Sequence, residues 1–213
     1  MTSPEKQLLA GVGRLDLHIS PQQQQQLLSF IQLLKKWNKI YNLTSIRELK
    51  EMVDLHLLDS LVVLPYFQQE DIHRVLDVGT GGGIPGIPLA ICLPDIQFVL
   101  MDARNKKVRF LQTAIAQLGL KNVTAVHSRV EDYQLEETDK FDRIISRAFA
   151  SLKDMLTLTV HLCAAQGKFL AMKGQILEQE IAQLPEGFRI EQTHPLDIWG
   201  LNIQRHLIEI VAE

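Results

Sequence analysis

The stretch Val75-Leu76-Asp77-Val78-Gly79-Thr80-Gly81-Gly82-Gly83-Ile84-Pro85-Gly86 decides how the rest of this 213-residue chain is read. An apolar run of strand character enters a turn with five glycines between positions 79 and 86. Glycine tolerates positive φ and lets a backbone approach a ligand, and in a doubly wound sheet this turn lies at the carboxyl edge, where ligands bind. The spacing is GxGxG, whereas a dinucleotide fingerprint needs a glycine where this chain has Ile84. Ile84-Pro85 and Pro88 also delay the helix whose N-terminus would have to meet a pyrophosphate. Asp77 would repel a pyrophosphate but suits the ammonium of an amino-acid group, directly or through water. The loop therefore fits a nucleoside without phosphates.

Downstream, short β-rich runs alternate with amphipathic stretches, the pattern of a parallel sheet covered by helices and thus of an α/β fold. Strands are expected at Arg74–Val78, Gln97–Asp102, Val123–His127, Phe141–Ser146, 168–172, 189–194 and 206–211. Helices are expected at 106–118, closed by Gly119, at 152–163 and at 176–184. Asp102 ends the second strand, where a nucleoside-binding fold places an acid to accept from ribose hydroxyls. Glu131, within Ser128-Arg129-Val130-Glu131-Asp132, follows the third strand and is placed to meet an adenine ring. The end of the fourth strand, where Arg147 follows Ser146, is expected to face the transferred methyl group. Loop and acids together point to S-adenosylmethionine.

Upstream, Ser20 and Pro21 form a helix N-cap followed by proline at the first helical position. Leu27, Ile31, Leu34 and Tyr41 recur at helical spacing, with Trp37 in the same apolar stripe. The Gln22 to Gln26 run is expected to be a solvated helix face. A second helix is expected over 46–64, ending at Pro65. Residues 1–70 thus form a helical subdomain, and 71–213 an S-adenosylmethionine-binding domain against which it packs.

An apolar fraction of 46% with 22% charged residues is that of an ordinary globular protein. No apolar run approaches the roughly 20 residues of a spanning helix, and Met1 to Ala10 lacks a secretory pattern. A cytoplasmic monomer is expected. Cys92 and Cys163 form no CxxC and are expected to be buried free thiols, with no metal site. The net charge of −3 argues against a uniformly basic protein, yet bases cluster in the middle of the chain, from Arg104 through Arg129 to Lys173.

The fourth strand narrows the chemistry. Ser146-Arg147-Ala148-Phe149 stands where exocyclic-amine methyltransferases carry Asp/Asn-Pro-Pro-aromatic, and neither cysteine is placed to attack cytosine C5. Guanine N7 offers a lone pair with no proton to remove, so positioning suffices. An arginine gripping O6 and N7 together would block that lone pair; Arg147 and Arg205 are expected to hold phosphate, O6 or another edge. Still open are another RNA position, including a ribose hydroxyl with Lys173 as base, a small molecule, a nonenzymatic nucleotide-binding RNA module and a nicotinamide dehydrogenase.

Several ordered motifs resemble the glucose-inhibited division protein B family, the type G methyltransferases of the small ribosomal subunit. They are Trp37-Asn38 with Tyr41-Asn42-Leu43-Thr44, His56 with Asp59-Ser60-Leu61, the glycine loop, Ser146-Arg147-Ala148, Lys173-Gly174 and Arg205-His206-Leu207. The resemblance implies methyl transfer to N7 of a guanine, position 527, in 16S ribosomal RNA, free or in the small-subunit particle. It also implies a Rossmann-like methyltransferase fold, a mostly parallel seven-stranded sheet with an N-terminal helical extension. Cofactor contacts carry over to Gly79, Ile84, Val130, Glu131 and Arg147, to which fold logic adds Asp77, Gly81 and Asp102. Where the family often has serine after the second-strand acid, this chain has Ala103 and then Arg104. Substrate-side candidates are Asn38, Asn42, His56, Asp59, Arg129, Lys173 and Arg205, of which Arg147, Lys173 and Arg205 are candidates for positioning the base. His56, Asp59 and Ser60 share one helix face, which suits a joint between the helical part and the sheet as well as it suits RNA.

Overall fold

The computed structural model describes residues 3–68, 71–147, 149, 151–175, 178–198 and 203–213. Two helices open the chain, α1 (Pro4–Arg14) and α2 (Pro21–Tyr41). Ser20 starts α2 as expected: its hydroxyl accepts from Gln23 N while Gln23 Oε1 accepts from Ser20 N, a reciprocal cap. The helix α1, absent from the sequence reading, begins on the same serine–proline pairing at Ser3-Pro4.

The expected single helix over 46–64 starts later and is interrupted. α3 (Leu49–Met52), a π-helical turn (Val53–Leu58) and α4 (Asp59–Leu61) run end to end. The delay has a cause in Asn42, which leaves α2 at φ 49°, and in Asn38, whose buried amide holds the following turn through Thr44 N and Ile46 O. Pro65 lies inside a short 3-10 turn (Leu64–Phe67) instead of stopping a helix before it.

β1 (Arg74–Val78), β2 (Gln97–Asp102), β3 (Val123–His127), β4 (Phe141–Ser146), β5 (Cys163–Lys173), β6 (Phe188–Pro195) and β7 (His206–Ala212) form one sheet in the order β3-β2-β1-β4-β5-β7-β6. Strands β1 to β5 are parallel, and β7 lies antiparallel between β5 and β6. Because β1 pairs with both β2 and β4, the strand order reverses at β1, which opens a crevice at the carboxyl ends. Covering helices are α5 (Gly86–Cys92), α6 (Asn105–Leu118), α7 (Leu152–Thr159) and α8 (Glu178–Ala182). Residues 176 and 177 of the helix expected at 176–184 lie outside the described residues. The helix expected over 152–163 stops at Thr159, and Cys163 opens β5 opposite Phe141. Sheet pairing prevails there over the helical leaning of Cys163-Ala164-Ala165.

Adjacent residues of β1 point to opposite faces, Val75 into one apolar cluster and Leu76 into the other. The first cluster joins Leu8, Leu27, Phe30 and Leu57 of the helical segment to Ile87, Phe98 and Phe110 of the sheet and its helices, so both parts share one core. The glutamine run corrects its expectation as well. Gln23 Nε2 donates to Ile91 O and Cys92 O, and Gln26 Nε2 to Leu118 O. These amides satisfy carbonyls at the ends of α5 and α6, which have no partner within their own helix.

Candidate active site

The glycine loop is pinned to the neighbouring strand, with Gly79 N and Thr80 N both donating to Met101 O. Gly79 and Gly81 lie at φ 69° and 61°, the left-handed region where a side chain is disfavoured. Beneath the loop, fully buried Asp77 joins its two ends. Its Oδ2 accepts from Thr80 Oγ1 at 2.6 Å and from Gly86 N at 2.9 Å. A Cβ on Gly86 would collide with a Leu100 methyl and stand 2.7 Å from that oxygen, so only glycine permits this approach. Asp77 Oδ1 is buried with no partner among the described residues. Burial pushes the Asp77 carboxyl up to about 6, against the opposing pull of the Thr80 and Gly86 hydrogen bonds.

Two cavities meet at Gly79. One, of about 190 Å³, is lined by Asp102, Ser128, Arg129, Val130, Glu131 and Phe149 among others. The second, of about 270 Å³, is lined by Thr44, Ser45, Gly81, Ile84, Lys107 and Arg147 among others. The fold thus gathers seven of the eight expected cofactor residues around these cavities, with Asp77 underneath. Asp102 is nearly buried and ties loop to helix, Oδ1 accepting from Arg104 N and Oδ2 from Gly81 N and Lys107 Nζ. A larger hollow of about 590 Å³ lies between the start of α2 and the segment entering β3. Its Asn122 amide is committed to the carbonyls of Ala90, Leu93 and Ile96.

The substrate-side candidates divide sharply. Asn42 and Arg129 are exposed. Asn38 is buried with both ends of its amide bonded to the chain. Asp59, fully buried, accepts from Arg147 Nη1 at 2.9 Å and from Arg205 Nε at 2.8 Å. Its place is therefore the joint, where the helical segment clamps the ends of two sheet segments, and not an RNA surface. His56 lies in the same joint. Thr44 Oγ1, which accepts from Ile46 N, donates to its Nε2, and its Nδ1–H donates to Leu55 O. Burial, aided by the nearby Arg147 guanidinium, pushes its imidazole down to about 4. Lys173, a candidate for positioning the base, is paired within the chain: its ammonium is 2.6 Å from Glu180 and 3.3 Å from Phe149 O. Trp37 stacks on Tyr41 and tilts against Phe110, as a core residue does.

Sequence reasoning missed Lys107, which lines the second cavity, and Glu180, which holds Lys173. A sign of Lys107 was available in its place in the first turn of α6, five residues past Asp102 at the strand end.

The family model for rRNA small subunit methyltransferase G matches residues 23–208. Ribosomal RNA small subunit methyltransferase G of Shewanella amazonensis is 50% identical over 206 residues, covering 97% of this chain and 98% of that protein. Its counterpart from Shewanella sp. strain MR-4 is 48% identical over 207 residues at the same coverage. Among solved structures, a SAM-dependent methyltransferase from Aquifex aeolicus matches with a TM-score of 0.60 at 17% identity, over 84% of this chain and 98% of that one. TYW2 from M. jannaschii, solved in complex with AdoMet, matches with a TM-score of 0.51 at 15% identity, over 73% and 77% of the two chains. These structural likenesses bear out the expected Rossmann-like methyltransferase fold. Half the residues are shared across nearly the full length of both proteins, and the family model spans the glycine loop, Asp59, Arg147 and Arg205; the chain belongs to the rRNA small subunit methyltransferase G family.

Proposed function

We propose that this chain transfers the methyl group of S-adenosylmethionine to N7 of guanine 527 in 16S ribosomal RNA, acting as a cytoplasmic monomer on the RNA or the small-subunit particle. The observation that carries the donor reading is the meeting of an acid-bearing and a cation-bearing cavity at Gly79. Asp102 and Glu131 suit the ribose and adenine. The unpartnered Asp77 Oδ1 is an acceptor for the donor's ammonium, directly or through water. Bound there, the sulfonium supplies an electrophilic methyl.

Guanine N7 asks the protein for positioning alone. Neither thiol suits covalent attack on a base, because burial pushes both Cys92 and Cys163 up to about 12. Free thiols also accord with a reducing compartment, and no helix among the described residues is long and apolar enough to cross a membrane.

The test is incubation of the chain with methyl-labelled donor and unmethylated small subunits, followed by mapping of the label. Label at N7 of one guanine is expected; label at another atom, with the donor bound normally, would overturn the acceptor assignment. Gly79→Asp is expected to abolish donor binding, and normal affinity in that variant would refute the placement.

A further inference from the structure

The two cavities that meet at Gly79 differ in charge. The nucleoside side carries Asp102 and Glu131, with Arg129 at its edge. The other side carries Lys107 and Arg147 beside the hydroxyls of Thr44, Ser45 and Thr80, and among the described residues no acid lines it. Arg147 Nη1 is already engaged by Asp59 and Leu55 O. Lys107 is placed differently. Its Nζ stands 3.1 Å from Asp102 Oδ2, on a side chain 19% exposed. A Cβ on Gly81 would lie 3.6 Å from that nitrogen, so the ammonium lies against the loop backbone.

Asp102 Oδ2 is shared by Lys107 and Gly81 N. Ribose hydroxyls donating to Asp102 compete for the same lone pairs. A lysine displaced from this oxygen keeps its charge on a flexible stem and needs another anion within reach. A ligand with its nucleoside in the acid-bearing cavity and its amino-acid end past Gly79 brings a carboxylate to the cation-bearing one. We infer that Lys107 binds the α-carboxylate of the methyl donor, making the cleft select nucleosides that carry a full amino-acid group. This inference rests on the donor reading above.

The test is calorimetric binding of S-adenosylmethionine, S-adenosylhomocysteine and decarboxylated S-adenosylmethionine to the wild-type chain and to Lys107→Met and Lys107→Arg. The methionine variant is expected to lose about tenfold to a hundredfold in affinity for the two carboxylate-bearing ligands, with most of it restored in the arginine variant. Binding of the decarboxylated ligand is expected to stay within about threefold, which also shows that the variant's cleft is intact. An equal loss for all three ligands would overturn the inference and leave Lys107 as an aid to Asp102. Unchanged donor affinity with weakened small-subunit binding would also overturn it, by assigning the cation to an acceptor phosphate. A wild-type chain that binds none of the three would instead sink the donor reading itself.

Discussion

Asp59 and Asp77 are both fully buried carboxylates, and their surroundings are opposite. Asp59 receives two guanidinium groups, from Arg147 just past β4 and from Arg205 just before β7. Asp77 receives a hydroxyl and a backbone N–H on one oxygen and, among the described residues, no partner on the other. The first arrangement is closed: each carboxylate oxygen accepts from one guanidinium, and the three side chains fasten the helical segment to the sheet. The second is open, since burial pushes the Asp77 carboxyl up to about 6 and a cation at its free oxygen would favour the ionised form. Comparing partners with acceptor capacity separates an acid that holds a fold together from one that awaits a ligand.

The largest effect that can break this contrast is expected from Asp59→Ala. Removing the shared anion leaves two partly buried arginines unmatched, at a cost of about 3 kcal/mol in urea unfolding. A loss under about 1 kcal/mol would mean that the clamp holds nothing. Asp77→Asn, nearly isosteric, is expected to change stability by less than about 1 kcal/mol near neutral pH while lowering S-adenosylmethionine affinity about tenfold or more. In the wild-type chain the same affinity is expected to fall as pH drops below about 6, because the donor's ammonium favours the ionised carboxylate. Persistence of that pH dependence in Asp77→Asn would assign it to another group.

The elements of this contrast differed in how far the sequence exposed them. β1 with its glycine loop, and Asp102 at the end of β2, are local signals: strand character, glycine spacing and one acid at a strand end place them before any fold is known. The partners of Asp59 are not local. Arg205 lies 146 residues away and Arg147 lies 88, and no periodicity connects a helix face to two later strand ends. For that reason His56 and Asp59 suited RNA contact as well as a joint until the fold brought the arginines to them. Lys173 misled in the same way, since a lysine at a strand end gives no hint of Glu180 beside it. Gln23 and Gln26 looked solvated because amides that cap another helix's carbonyls leave no pattern in their own sequence. The π-helical turn before Asp59 and the start of β5 at Cys163 were hidden for a related reason, packing and pairing having set both against local propensity.

The smallest expected effect sharpens the contrast through pH. Burial, with the Arg147 guanidinium, pushes His56 from 6.5 down to about 4, while burial pushes Asp77 from 3.8 up to about 6. From about pH 6.5 down to 4, an unfolded chain takes up a proton at His56 that the folded chain refuses, so this histidine makes stability fall with falling pH. Asp77 acts in the reverse sense: from about pH 6 down to 3.8 the folded chain binds a proton that the unfolded chain does not, and stability rises as pH falls. Each slope is at most about 1.4 kcal/mol per pH unit, and between pH 6 and 4 the two oppose each other. Relative to the wild-type chain, His56→Gln is therefore expected to gain stability as pH falls through this window, and Asp77→Asn to lose it. Urea midpoints at pH 6 and pH 4.5 measure both differences. Variants whose midpoints track the wild-type chain would show that water reaches both groups in the folded state, and the opposition between the closed joint and the open carboxylate would then rest on hydrogen-bond geometry alone.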